Sequence, residues 1–425
     1  MRILIHGLNF APELVGVGKY TGEMAEWLAA RGHEVRAVTA PPFNPEWKIA
    51  PGFSPWRYSR EGRLPPSGPV ENRRKSGAAG GGLTVLRCPL WVPRRPSGGK
   101  RILHLASFAL ASFLVMLRQV FWKPEIVLVV EPTLFCLPAA LITGRFCQAR
   151  TWLHVQDFEA DAGFDLGLLT SVSLQHSIAW LEKKSMAGFD RVSTVSEKML
   201  ATLARKGVAR SACRLFPNWV DTAAIVPLER PSPLRAQLGI SPGEIVALYA
   251  GTMGRKQGLE ILAEAAGRLS GREGLRFVFC GEGPGKLILS DLTGQMPNVQ
   301  WIPLQPLARL NDLLNLADIH LLPQKADAAD LVMPSKLTGM LASGRPVVAT
   351  SRPGTQLAEV VRGRGIAVEP GDAAAFAGAI EQLADDSGLR ESLGRNAREY
   401  AVSELEKESI LSRLERELLV FAAAS

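Results

Sequence analysis

Along the first half of the chain, short β-rich runs alternate with segments whose apolar positions recur every three to four residues. Arg2–Leu8 (RILIHGL), His33–Ala40 (HEVRAVTA), Glu125–Glu131 (EIVLVVE) and Ala149–Asp157 (ARTWLHVQD) are of the first kind and predict buried strands. Thr21–Gly32 (TGEMAEWLAARG) and Ser177–Phe189 (SIAWLEKKSMAGF) are of the second kind and predict helices. Apolar strands separated by helices are the pattern of a parallel, doubly wound α/β sheet covered on both faces.

The alternation breaks at Pro227–Glu244 (PLERPSPLRAQLGISPGE) and then resumes through IVALYAG, LRFVFCGEG, VQWIPL, DIHLLPQ, RPVVAT and GIAVEP, with helical patterns between most of them. Two Rossmann-like domains joined near Asn218–Glu244 follow from this. The first spans 1–220 with a flexible basic insertion at about 60–82, the second spans 221–400, and a C-terminal helix at 401–425 packs back toward the first. In such sheets ligands bind beyond the carboxyl ends of the strands, so the expected site is the cleft where the two domains face each other.

The composition is that of an ordinary globular protein, with 47% apolar and 21% charged residues among 425. The net charge of +8 is unevenly distributed. Phe43–Lys123 holds fourteen Lys or Arg against three Asp or Glu, a local +11, and the remaining residues sum to −3. Within it, Glu71–Gly82 (ENRRKSGAAGGG) reads as a solvated insertion. The five cysteines have neither zinc-ligand nor thioredoxin spacing and read as buried or idle thiols in a reducing compartment. The opening MRILIHGLNF lacks the long apolar core of a signal peptide, so a cytoplasmic protein is expected.

Candidate chemistry collects at strand ends. In Met333–Thr350 (MPSKLTGMLASGRPVVAT) a helix is expected to begin with Lys336 in its first turn, where the helix dipole disfavours a cation. Tyr249–Glu260 (YAGTMGRKQGLE) repeats the oddity with Arg255 and Lys256. Two such placements after strands of one sheet suggest an anion held between them, most simply a diphosphate. Cys280–Lys286 (CGEGPGK) is weak by itself but reads, beside those two, as a wall of one nucleotide site. Gly251, Gly281, Glu282, Gly283 and Leu304 are the candidate nucleotide contacts.

In the first half, Gly7–Glu23 (GLNFAPELVGVGKYTGE) offers Gly16 and Gly18 for close approach to a ligand, with Glu13 and Lys19 adding polar reach. His154 and Asp157, in HVQDFEADAG, could bond a sugar hydroxyl or handle a proton. For a single histidine at a strand end, the structural reading stands equally open. EAD at Glu159–Asp161 and DAAD at Asp327–Asp330 lack metal-binding context. With cations already opposing the phosphates, no metal is expected.

The strings PELVGVGKYTGEMAEWLAARGHEV, RCPLWVP, PTLFC, HVQDFEADAGFDLGLL, FPNW, GRKQGLE and PSKLTGMLASGRPVV together resemble glycosyltransferase family 4, whose members have the two-domain GT-B fold. Within it they are most similar to the colanic-acid-type fucosyltransferases. The resemblance implies that Lys256 with Arg255 binds the donor diphosphate, that Gly16 to Gly18 closes over the donor, and that His154 lies beside the donor sugar. It also implies retention of anomeric configuration without metal.

The chain departs from the family at two glutamates of the last motif, where Leu331 and Gly339 stand. Ser335 and Lys336 are left for the diphosphate, and Asp330 is the nearest acid for a sugar hydroxyl. The phosphate-loop arginine is displaced as well, since Thr252 follows Gly251 and Arg255 comes later.

The rest of the basic stretch, Val92–Lys123, contains sixteen residues without a formal charge, Ile102–Leu117, flanked by Lys100, Arg101 and Arg118. Sixteen is short of the ~20 needed to span a membrane. A core helix and a helix lying on the inner leaflet are both open, the second slightly favoured by its basic flanks. It would bring the enzyme to a glycan acceptor on a polyprenyl diphosphate.

The expected function is a glycosyltransferase moving a sugar, most simply L-fucose from GDP-fucose, onto a lipid-linked oligosaccharide for a surface polysaccharide. Its partners are a nucleotide sugar, that acceptor and the anionic inner-membrane surface, with no nucleic acid. A dehydrogenase would need a compact GxGxxG with an acid ~20 residues on, and no loop combines the two. A non-catalytic nucleotide-sugar-binding or scaffold protein is the other alternative, suggested by the replaced glutamates.

Overall fold

The computed structural model describes residues 1–13, 16–63, 81–94, 98–131, 134–158, 180–254, 257–326 and 333–423. The chain divides into two compact units, Met1–Pro217 with Ile410–Ser425, and Asn218–Ser409.

The first unit is built on eight strands: β1 (Arg2–Gly7), β2 (Glu34–Thr39), β3 (Ser59–Arg63), β4 (Leu83–Arg87), β5 (Ile126–Glu131), β6 (Arg150–Val155), β7 (Arg191–Thr194) and β8 (Cys213–Leu215). Their order is β3-β4-β2-β1-β5-β6-β7-β8. All neighbours run parallel except β3, which pairs antiparallel with β4. Ser59–Arg63, at the start of the expected basic insertion, is thus an edge strand, and residues 64–80 lie outside the described residues. In β5 every residue is buried, because a central parallel strand is covered on both faces.

Three helices of this unit matter below: α1 (Gly16–Ala30), α2 (Gly98–Arg118) and α3 (Leu137–Cys147). Helix α1 begins five residues before the apolar periodicity predicts it. Its glycines, poor helix formers in isolation, are held in the helix by contact with the preceding loop. A Cβ on Gly18 would lie 2.4 Å from Glu13 Oε2, and one on Gly22 would lie 2.5 Å from Ala11 Cβ.

The second unit is an all-parallel sheet of β9 (Ile245–Ala250), β10 (Leu275–Cys280), β11 (Val299–Ile302), β12 (Ile319–Leu322), β13 (Val347–Thr350) and β14 (Gly365–Val368), in the order β11-β10-β9-β12-β13-β14. One core cluster gathers Phe277, Phe279, Leu262 and Phe376, and another gathers Leu337, Leu341, Val347 and Ala397. The short helix α4 (Lys336–Ala342) follows β12, and the last helix, α5 (Lys407–Ala423), contributes its residues from Ile410 onward to the first unit.

In both sheets the strand order reverses beside the first strand, between β1 and β5 and between β9 and β12. A crevice opens outside the carboxyl ends at such a point. The glycine-bearing loops after β1 and β9 both begin there.

Candidate functional site

In the second unit, strand β9 carries the fully buried Tyr249 and then turns at Gly251, whose φ of +137° is a conformation that suits glycine. The next loop is laid on this one. Gly251 N donates to Cys280 O at 2.9 Å, Met253 N to Glu282 O at 2.8 Å, and Gly285 N to Met253 O at 2.8 Å. A Cβ on Gly281 would lie 2.2 Å from the Gly251 carbonyl oxygen, and one on Gly283 would lie 2.4 Å from that of Met253. This loop-on-loop contact is enough by itself to require glycine at both positions. Glu282 is paired with Lys286 one turn on, at 2.5 Å. Leu304 follows β11 and is exposed, while Cys280 Sγ donates to the neighbouring Pro303 carbonyl at 3.4 Å.

Lys336 opens α4 from the other side of the switch point. Its stem is partly exposed, but its Nζ is buried and has no hydrogen-bond partner among the described residues. The ammonium sits 4.0 Å from the centroid of the Tyr249 ring, and a Cβ on Gly251 would meet its Cδ at 3.3 Å. Glycine at 251 therefore makes room for this side chain. Burial pushes the lysine down to about 7. The Tyr249 face offers it a cation–π contact, and the Tyr249 hydroxyl is turned away, donating to Thr252 O at 2.7 Å. Ser335 precedes the helix and makes no side-chain capping bond. A buried cation without a hydrogen-bond acceptor is costly to leave and fits an incoming anion.

Position 339, where the resemblance implies a glutamate in many members, is tight: a Cβ there would lie 3.2 Å from Leu314 Cδ1. Arg255, Lys256 and Asp330 lie outside the described residues.

In the first unit, the loop after β1 is tied down by two charged groups. Glu13 is buried and accepts bonds from Asn9 Nδ2 (2.9 Å) and from the backbone N–H groups of Phe43 and Asn44 (3.1 Å each). Desolvation raises its pKa, opposed by these bonds and by Arg87. Arg87, also buried, spans three segments: it donates to Ala11 O at 2.7 Å, to Ala40 O at 2.9 Å and to Glu61 Oε1 at 2.6 Å. Gly16 and Gly18 start α1 directly beyond this anchored loop, and Lys19 faces Glu23 at 3.9 Å.

His154, near the end of β6, is buried with both ring nitrogens near protein partners. Nδ1 is 2.9 Å from Ser193 Oγ, and Nε2 is 3.0 Å from Gln156 Nε2. Phe216 packs edge-on against the ring at 4.8 Å. Burial drives its pKa down to about 3, outweighing a bond to Ser193. The imidazole is neutral. Asp157 lies two residues beyond the strand and is half-buried.

The sheets thus bring Gly251, Gly281, Gly283 and Lys336 together in the second unit. In the first unit, the Gly16–Gly18 turn and the His154–Asp157 segment leave strands β1 and β6, which β5 separates. Tyr249, Arg87, Ser193 and Gln156 escaped the sequence reading. Only Tyr249 had a usable signal, since strand alternation puts it on the same face as Gly251. Among the described residues, no three His, Cys, Asp or Glu side chains are grouped as metal ligands would be.

Comparison with known proteins bears on this arrangement. The family described as "Glycosyl transferase 4-like domain" matches residues 15–219, and "Glycosyl transferases group 1" matches residues 232–400. The chain is 42% identical over 421 residues to "Putative colanic acid biosynthesis glycosyl transferase WcaI" of Escherichia coli (strain K12), covering 97% of this chain and 98% of that one. It is 29% identical over 221 residues to a D-inositol 3-phosphate glycosyltransferase of Pseudarthrobacter chlorophenolicus, covering 48% and 50%. Among solved structures it is similar to sucrose-phosphate synthase from Thermosynechococcus elongatus, with a TM-score of 0.72, 18% identity and full coverage of both chains. Anabaena Alr3699/HepE in complex with UDP-glucose aligns with a TM-score of 0.67 at 14% identity, over 99% of this chain and 100% of that one.

Proposed function

The chain belongs to glycosyltransferase family 4, a family of GT-B enzymes, and from that premise we propose that it transfers L-fucose from GDP-fucose to a polyprenyl-diphosphate-linked oligosaccharide. The transfer retains anomeric configuration, needs no metal, and serves a colanic-acid-like exopolysaccharide. The observation that carries the donor side is Lys336: a buried ammonium at the switch point of the second sheet, with no acceptor among the described residues. In this reading Lys336 and Ser335, with Arg255 and Lys256, hold the diphosphate, and Asp330 bonds the sugar. The nucleoside lies along Gly251, Gly281, Glu282, Gly283 and Leu304. Gly16 and Gly18 cover the donor, while His154 and Asp157 flank the sugar. The departing phosphate takes the acceptor's proton, so no protein base is required. The polysaccharide assignment is carried by the name of the 42% identical relative.

The acceptor side of the proposal rests on α2. Residues Gly99–Trp122 are long and apolar enough to cross a membrane by length and composition, yet one face is packed against the sheet. The buried positions His104, Phe108, Ser112, Met116 and Gln119 include three polar residues, whereas the exposed positions Leu103, Leu110, Leu114 and Phe121 are apolar. Phe146 of the adjoining α3 is also exposed. This inversion of the usual amphipathic order suits a helix lying in the plane of a membrane. Lys100, Arg101, Arg118, Lys123 and Arg145 supply charge for anionic headgroups. The enzyme then works as a peripheral protein on the cytoplasmic face, where lipid-linked intermediates are extended.

The deciding experiment incubates the purified protein with GDP-, UDP- and dTDP-sugars and a lipid-linked acceptor, and determines the anomeric configuration of the product by NMR. Transfer from GDP-fucose with retention, undiminished by EDTA, is expected. An inverted product, loss of transfer with EDTA, or preference for another donor overturns the corresponding part. Tight nucleotide-sugar binding with neither transfer nor hydrolysis would indicate a binding protein instead.

A further inference from the structure

Four buried side chains form a file across β6 and β7: Trp152, Ser193, His154 and Gln156. The parallel register sets Ser193 directly opposite His154. The direction of every hydrogen bond in the file follows from its two ends. An indole N–H only donates, and Trp152 Nε1 gives its proton to Ser193 Oγ at 2.8 Å. At the other end the Gln156 amide nitrogen, also only a donor, stands 3.0 Å from His154 Nε2, so that ring nitrogen carries no proton. A neutral imidazole then has its proton on Nδ1, which donates to the second lone pair of Ser193 Oγ at 2.9 Å. The serine proton turns to the Leu153 carbonyl, 3.5 Å away.

We propose that Ser193 is a positioning residue which, by accepting from Trp152 and His154 together, fixes His154 as its Nδ1–H tautomer and reserves Nε2 as a hydrogen-bond acceptor. In the transfer reaction Nε2 accepts from a hydroxyl of the donor sugar, which takes the place of the Gln156 amide. His154 is then neither a cation nor an acid toward the leaving group. It is an oriented acceptor whose ring is held from β7, with the Gln156 amide satisfying it while the sugar is absent. The sugar contact rests on the proposed placement of the donor beside His154, whereas the tautomer does not.

The test is NMR of the full chain labelled with 15N-histidine, correlating ring protons with ring nitrogens near pH 7.5. The His154 signals are identified by their loss in His154→Gln. Wild type is expected to show a protonated, pyrrole-type Nδ1 and a bare, pyridine-type Nε2. Ser193→Ala should populate the Nε2–H form. An Nε2–H ring in wild type or an unaltered tautomer in Ser193→Ala each overturns the assignment, and the wild-type measurement needs no variant to fold. Saturation with GDP-fucose should move the Nε2 signal and leave Nδ1 protonated. An unmoved Nε2 with the expected tautomer removes the sugar contact, and with it the donor placement, while leaving the role of Ser193 standing.

Discussion

His6 of the first strand places its Nε2 3.0 Å from Ser112 Oγ, in the middle of the long apolar helix α2, and both residues are fully buried. A neutral imidazole is thus part of how α2 is fastened to the sheet. His154 and His320 are equally buried, and burial drives all three down to about 3.

Acid should therefore unfold this protein early. The folded-state values lie below the unfolded value, so the stability from these groups is complete above about pH 6.5 and is lost as pH falls through it, the unfolded chain binding more protons. At pH 5 each of the three costs up to about 2 kcal/mol, by 1.36 kcal/mol per unit. Melting temperature measured from pH 7.5 to 5 should fall steeply below 6.5. A flat profile would mean that these rings titrate in the folded state.

Lys336→Met should weaken GDP binding by about 1.5–3 kcal/mol, the range for a charge-assisted bond. Its melting temperature should hold or rise, because a buried cation with no hydrogen-bond acceptor among the described residues has been removed. With a value of about 7 in the unliganded protein, the wild-type lysine must be charged to hold phosphate. Affinity should be full below pH 7 and fall above it, by up to about tenfold per pH unit until the raised value of the complex is reached. Calorimetry between pH 6.5 and 8.5 checks both points, and Lys336→Met should lack this contribution to the pH dependence.

Gly281→Ala should destabilise the second unit by about 1–3 kcal/mol, since its Cβ would strike the Gly251 carbonyl and backbone must move. Gly16→Ala meets no atom of the described residues within 4 Å but sits at φ +60°, so its cost should be the conformational one, about 1–2 kcal/mol. Denaturant unfolding of the two variants separates the causes. Equal, negligible losses would count against both.

Replacing Leu110, Leu114 and Phe121 together by serine should lower partitioning onto vesicles containing anionic lipid by at least ~100-fold, at about 1 kcal/mol or more of lost burial each. Melting temperature should barely change, because the three side chains are exposed. High salt should weaken wild-type binding by screening the basic flanks. Co-sedimentation at two salt concentrations measures this. Undiminished binding of the triple variant would remove α2 from the membrane contact.

Much of the fold was legible in the sequence because its strands advertise themselves. The run from Ile126 to Val130 is apolar throughout, as a strand covered on both faces tends to be, and Ile319–Leu322 is apolar but for His320. The break before Glu244 and the restart of the pattern separated two sheets for the same reason. Lys336 was visible as a cation at a helix start, a local electrostatic oddity that needs only the order of residues to be noticed.

What that lysine faces is a different matter. Its ring partner Tyr249 lies 87 positions earlier and meets it only because β12 pairs with β9. Tertiary contact likewise decided the glycines of CGEGPGK, which read equally well as ligand approach until the loop after β9 came to lie against them. It extended α1 back to Gly16 against the helix propensity of its glycines, and it chose which face of α2 meets the sheet, turning His104 and Ser112 inward and the leucines out. His154 was open between two readings for the same reason. The partner of its Nδ1 is Ser193, 39 residues on and on a neighbouring strand. Periodicity and charge are local and survive in the order of residues, whereas the partner of a buried polar group is set by which strands pair.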